Sequence, residues 1–228
     1  MIRTAILVDG GFYRKRAKAL KGELPGKDRA KELFQYCMLH INGKNNDGSK
    51  NEEKQTLYRI FYYDCMPLNK RYVFHPLSKQ NIDLGKTESF DWTESMFNEL
   101  RKTRKVALRL GELSSYSNYN LKPSVTKSLF LGKIKLEDIK EDDFELNIRQ
   151  KGVDMKIGID IASLAFKKQV DRIILIAGDS DFVPAAKTAR REGIDFILDP
   201  MWTKINDSLF EHIDGLMSAW PDPSKNTK

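Results

Sequence analysis

From Asp154 onward, short apolar runs rich in β-branched residues alternate with helical segments, and this alternation restricts the fold more than any other feature. Residues 155–168 carry a helical pattern, 172–177 (RIILIA) read as a buried strand and 182–192 as a helix. Gly193 is a helix stop, and 194–198 read as another strand. At the other end, 2–8 form a β-branched run stopped by Asp9-Gly10-Gly11, followed by helical patterns over 12–20 and 28–41. Residues 56–63 and 106–110 supply two more strand candidates. Strands separated by helices imply βαβ crossovers and a parallel sheet covered on both faces. In such sheets ligands bind at the carboxyl ends of the strands, where the topology switches.

The remaining segments carry weaker patterns. Residues 43–54 are polar with two glycines and are expected to form a surface loop. Residues 65–89 hold two prolines and no clear period, and are expected to be irregular. Asp91 is the candidate cap of a helix bearing Trp92, Met96, Phe97 and Leu100. Residues 114–144 read as a hairpin-like insertion, and a last helix is expected near 207–217. The organisation expected is one domain over 1–220, with insertions at 43–54 and 114–144 and a polar tail at 221–228.

Composition narrows the function classes. Apolar residues make up 40 % of the 228, enough for a full core, yet no run approaches the roughly 18 apolar residues that suggest a transmembrane helix. The apolar run at the N-terminus is short and ends in an acid, so a secretory signal is not expected, and a cytoplasmic protein without membrane contact is. Cys37 and Cys65 are far apart and read as reduced thiols. His40, His75 and His212 are scattered, which suggests neither a histidine metal site nor a Ser-His-Asp triad. The net charge of +7 favours a polyanionic partner only weakly, but acids clustered at strand ends of a basic chain have a use.

Asp9 follows the first strand, Asp179 and Asp181 follow the RIILIA strand, and Asp154 opens a helix. Any one of them alone reads as a helix cap. Together at one sheet edge they repel unless a cation neutralises them. All-oxygen ligands with open water positions suit Mg²⁺ or Mn²⁺ better than zinc. Such a metal can activate water against a phosphorus centre. Gly178 allows a tight turn that aims Asp179 and Asp181 at one cavity. Lys151 and Lys156 flank Asp154 and are candidates for phosphate contact, Tyr116 and Tyr119 for stacking on unpaired bases, and Trp202 for lining the site. The first loop lacks G-x-G-x-x-G, the chain has no Walker lysine motif, and no DxD follows the first strand. A nucleotide-binding Rossmann enzyme or a phosphatase is therefore a poorer reading.

Val8-Asp9-Gly10-Gly11, then Lys151-Gly152-Val153-Asp154 with Asp160 beyond it, then Gly178-Asp179-Ser180-Asp181-Phe182, resemble the NYN domains. This PIN-like family includes the LabA-like (DUF88) proteins. The resemblance implies a Rossmann-like three-layer α/β/α sandwich with a mostly parallel central sheet. It also implies a Mg²⁺- or Mn²⁺-dependent endoribonuclease acting on RNA, single-stranded RNA included. Asp9, Asp154, Asp179 and Asp181 would form its catalytic and metal site, with Lys151, Lys156, Ser180 and Asn206 contacting substrate. Asp160 lies six residues past Asp154, about 240° around a helix, and is expected to support the site or the fold. Many family members have Asn three residues after the first Asp; here that residue is Phe12, and Tyr13, Ser180 or Asn206 are candidates to replace its amide. The alternative reading is a regulatory NYN domain that binds RNA or protein without cleaving. A homodimer remains open.

Overall fold

The computed structural model describes residues 1–43, 54–69, 71–114 and 118–226. In chain order the elements are β1 (Ile2–Asp9), α1 (Gly10–Lys21), α2 (Gly26–Asn42), β2 (Gln55–Cys65), β3 (Tyr72–Phe74), β4 (Asn81–Asp83), α3 (Glu88–Lys102) and β5 (Val106–Leu113). Then follow β6 (Asn118–Leu121), α4 (Pro123–Phe130), β7 (Phe144–Asn147), β8 (Gln150–Lys151), α5 (Val153–Phe166), β9 (Arg172–Ile176), α6 (Val183–Arg191), β10 (Asp195–Asp199), α7 (Asp207–Phe210) and β11 (Gly215–Leu216).

The central sheet has seven strands in the order β11-β10-β9-β1-β2-β5-β8. All neighbours pair in parallel except β5 with β8. The chain grows from β1 through β2 to β5 on one side, then returns to start β9 on the other side of β1. Successive residues of β1 are buried on opposite faces. Ala5 and Leu7 pack with Ile157, Ile161 and Leu164 of α5, while Ile6 and Val8 pack with Tyr13, Leu33 and Phe97 of α1, α2 and α3. Burial on both faces explains why these strands read as continuous apolar runs rather than as alternation. The expected three-layer α/β/α sandwich with a mostly parallel sheet is what forms.

Several local expectations change. Residues 65–89 contain the antiparallel pair β3–β4. The cap of α3 is Thr87, whose Oγ1 accepts from Phe90 N at 3.2 Å, and Asp91 lies within the helix. The expected last helix is only α7. The chain then turns into β11, whose Gly215 and Leu216 pair with Ile197 and Leu198 at the sheet edge. In the segment expected as a hairpin-like insertion, β6 and β7 pair antiparallel with α4 in their connection. The polar loop lies outside the described residues over 44–53, as does Tyr116. No helix among the described residues is long and apolar enough to cross a membrane.

His75 joins the two small hairpins. It is buried, with its ring 4.7 Å from Tyr119 and 5.0 Å from Phe144, both edge-on, and its Nδ1 accepts from Ser78 N at 3.3 Å. Tyr119 therefore packs within the protein through this contact. Each aromatic pair contributes about 0.5–1.5 kcal/mol. His75→Ala is expected to raise tryptic cleavage within β3–β4 about tenfold, with little change in global melting, because the clip lies outside both main cores. An unchanged digestion rate would show that the hairpins hold themselves.

Candidate acidic site

The switch point lies between β1 and β9. Asp9 ends β1, and its Oδ1 accepts from Phe12 N at 3.1 Å, which caps α1. Capping does not remove it from the site. Burial pushes its carboxyl above the ordinary range against the pull of the Phe12 N–H, and the charges of Asp154 and Asp64 push it further up.

Asp154 is the second residue of α5, which starts at Val153, two residues before the expected Met155. The cap is Gly152 at φ 78°, a left-handed conformation that favours glycine. Asp154 is exposed, and the partial desolvation it does undergo raises its carboxyl, with Asp179 and Asp181 raising it further. Asp179 follows β9, and its Oδ1 accepts from Asp181 N at 3.0 Å, closing a 3-10 turn over Ser180–Phe182. The tight turn forms as expected, with both of its carboxylates exposed.

The electrostatic links thus run from Asp64 and Asp154 to Asp9, and from Asp179 and Asp181 to Asp154. Among the described residues, none of Asp9, Asp154, Asp179 and Asp181 forms a salt bridge. The acids ending the neighbouring strands differ. Asp64 ends the apolar stretch of β2 and pairs with Arg14 Nη1 at 2.6 Å. Burial pushes the Asp64 carboxyl up, against that pairing. Asp199, at the end of β10, is fully buried and accepts from Tyr36 Oη at 2.5 Å and Met201 N at 2.7 Å, with His40 Nε2 at 2.7 Å. The protein satisfies these two acids itself.

Carboxylates outside any salt bridge, two of them raised by their acidic neighbours, are the electrostatic setting for a hard cation. Among the described residues, no three His, Cys, Asp or Glu side chains converge closely enough to enclose an ion by themselves. Structural zinc takes four protein ligands, whereas magnesium keeps several waters and takes one or two carboxylates plus substrate phosphate.

The other expected residues fall nearby in different roles. Lys151 in β8 and Lys156 in α5 flank Asp154 in sequence and are exposed. Ser180 sits between the two acids of the 3-10 turn. Asn206 caps α7 by accepting from Ser208 N at 2.9 Å, and α7 packs against that turn. Asp160 accepts from Tyr63 Oη at 2.8 Å and Arg109 Nε at 2.9 Å, which ties α5 to the sheet. Trp202 donates its indole N–H to the Trp220 carbonyl at 2.9 Å.

Phe12 places a ring on the backbone of Gly178: a Cβ there would stand 2.6 Å from Phe12 Cε2. Tyr13 offers no replacement amide or hydroxyl, because it is buried and donates to Glu32 at 3.1 Å. The amide near the acids is that of Gln150. Its Nε2 is 3.9 Å, and Asp9 Oδ1 3.5 Å, from the point where a Cβ on Gly11 would stand. The sequence held no signal for Gln150. Asp64 could have been singled out by the same pattern that singled out Asp9, an acid ending an apolar run.

A family model described as the NYN domain matches residues 88–214, more than half of the chain. The match contains Asp154, Asp179 and Asp181 and starts after Asp9 and Asp64. No curated protein matches the sequence. Among solved structures, the crystal structure of a protein of unknown function from Vibrio parahaemolyticus is similar, with a TM-score of 0.44 and 14 % identity. That similarity covers 94 % of this chain and 91 % of the other.

Proposed function

The chain belongs to the NYN domain family of the PIN-like nuclease superfamily, and from that premise we propose that it is a Mg²⁺- or Mn²⁺-dependent endoribonuclease of the LabA-like (DUF88) branch. The observation that carries the reading is electrostatic. Asp9 and Asp154 are both raised by desolvation and by neighbouring carboxylates at the switch point, and among the described residues neither forms a salt bridge, although Arg14, paired with Asp64, also feels the charge of Asp9.

Asp9, Asp154, Asp179 and Asp181 would hold the divalent ion, directly or through its waters, and the ion would supply Lewis-acid activation of water and offset charge at the phosphorus. The protein's own groups do the rest. The Phe12 and Asp181 N–H groups fix one oxygen each of Asp9 and Asp179, so these carboxylates are oriented before substrate arrives. Lys151 and Lys156 attract the RNA phosphates, and Ser180 and Asn206 border the strand. Asp160, held by Tyr63 and Arg109, fixes α5 and thereby Asp154. The protein acts in the cytoplasm on single-stranded RNA.

The test is cleavage of end-labelled single-stranded RNA with Mg²⁺, Mn²⁺ or EDTA. Wild type is expected to cut only with metal, and Asp179→Asn to lose about a hundredfold or more. Asparagine keeps an acceptor for the Asp181 N–H, so the loss reports the charge. One observation favours a second reading, a non-cleaving RNA or protein reader: the Phe12 ring lies on Gly178, at the position where the resemblance to the family leads one to expect an amide. Binding without cleavage across a broad RNA panel would establish that reading instead.

A further inference from the structure

A cavity of about 370 Å³ opens on the far side of Asp64 from Asp9, lined by Asp64 but by none of the four candidate site acids. It lies between the end of the sheet and the two hairpins that His75 joins. Arg14 and Asp64 line it together with the rings of Phe90 and Tyr119 and the side chains of Leu146 and Ile148. Ser89, Thr93 and Gln150 add hydrogen-bonding groups. A mainly apolar pocket of this size with a few polar groups is built for one flat, polar-edged molecule.

We propose that this cavity receives one unpaired nucleobase of the strand whose phosphate lies at the acids, an inference that rests on the RNA-cleaving reading of that site. Three observations place the base there. First, cavity and acids are contiguous: Asp64 lines the cavity and acts on Asp9, and Gln150 approaches Gly11 from the cavity while Asp9 approaches it from the site. Second, a depression of about 910 Å³ continues from the cavity along α1 and α3, sharing Arg14, Ser89 and Thr93. Of the cations in its lining, Arg14, Lys18 and Arg29 pair with Asp64, Glu23 and Glu32, and exposed Lys15, in no salt bridge among the described residues, is the one it offers to a phosphate leaving the site. Third, two rings beside hydroxyl and amide groups match how unpaired bases are held: stacking on the faces, hydrogen bonds at the edges. A base inside a duplex presents no free face, so the cavity selects single strands.

The experiment uses full-length Asp179→Asn protein in EDTA, which separates binding from cleavage. Single-stranded RNAs carrying one 2-aminopurine at successive positions are titrated with protein. Fluorescence is expected to change saturably at one position, and an abasic nucleotide there to weaken binding about tenfold. Leu146→Trp, which fills the cavity, is expected to remove the fluorescence change and weaken binding similarly. Leu68→Trp fills it from another wall, and circular dichroism identifies which variant is folded. Equal affinity and equal fluorescence for filled and unfilled proteins would overturn the proposal, as would a lack of response at every position. Wild-type cleavage in Mg²⁺ is measured alongside. Cleavage without a cavity signal removes only the base pocket; a cavity signal without cleavage of any RNA removes only the hydrolase reading.

Discussion

Asp9→Asn is expected to reduce RNA cleavage about a hundredfold or more and, at neutral pH, to melt above wild type. The substitution removes a charge and keeps the cap, since the asparagine oxygen can still accept from Phe12 N. Two effects oppose each other at this position. A carboxylate at a helix N-terminus gains about 0.3–1 kcal/mol from the helix dipole. Burial and the Asp154 and Asp64 charges cost more, because the net result is a carboxyl raised above its ordinary value. The sign follows by linkage. The unfolded chain ionises Asp9 at the lower, ordinary pKa, and the folded chain only at a higher pH. Stability is therefore lost as pH rises through that window and stays lost at neutral pH. The variant is expected to gain about 2–4 °C at pH 7, the size of roughly 1 kcal/mol in a chain of this length. The gap should narrow as pH falls towards the ordinary carboxylate value. Melting below wild type at pH 7 would mean that the dipole outweighs burial and that Asp9 is mainly a cap.

Gly10→Ala should be among the most destabilising single-methyl additions. The new Cβ would stand 2.6 Å from both Tyr62 Cζ and the Tyr63 carbonyl oxygen, and 2.7 Å from Asp64 Oδ2. None of these yields easily: Tyr63 O belongs to a sheet strand, Tyr62 is fully buried, and Asp64 is held by Arg14. Overpacking of this kind costs about 1–3 kcal/mol, and the upper end applies where backbone must move. The melting temperature is expected to fall by about 5–10 °C. Cleavage should fall too, because α1 would be pushed off β2 and carry Phe12 away from Asp9. Gly158→Ala is the control. It sits within α5, where a Cβ would meet nothing within 4 Å, and φ is not positive. That variant should gain about 0.5–1 kcal/mol from the helical preference of alanine. Equal melting of Gly10→Ala and wild type would mean that α1 has room to slide.

The strands nearest the site were legible because parallel strands buried on both faces leave long apolar runs, as 2–8 and 172–177 do. Elements that exist only through pairing were not. β3 and β4 have three residues each and β11 has two, too few for any period to register. β11 forms because β10 offers it a free edge, so a segment that reads as helix stops at Phe210. The cap of α3 shows the same limit at one residue. Thr87 and Asp91 are both good capping types, and only the bond from Phe90 N distinguishes them.

The order of residues alone places acids at strand ends. Asp9 and Asp199 end two strands of the mostly parallel sheet, Asp64 is the last residue but one of a third, and Asp179 and Asp181 follow a fourth, so their placement at one edge was already written in the pattern of apolar runs. Which of them the protein neutralises was not. Arg14 comes from α1 to pair with Asp64, and Tyr36 and His40 come from α2 to satisfy Asp199. Those partners lie 50 to 163 residues away in the chain, and no local pattern encodes such distances. Packing of the helices against the sheet leaves Asp9, Asp154, Asp179 and Asp181 without a salt bridge among the described residues. A candidate site is thus the part of an acidic sheet edge that the fold itself does not neutralise, because only a charge left unpaired can serve a metal ion and a phosphate.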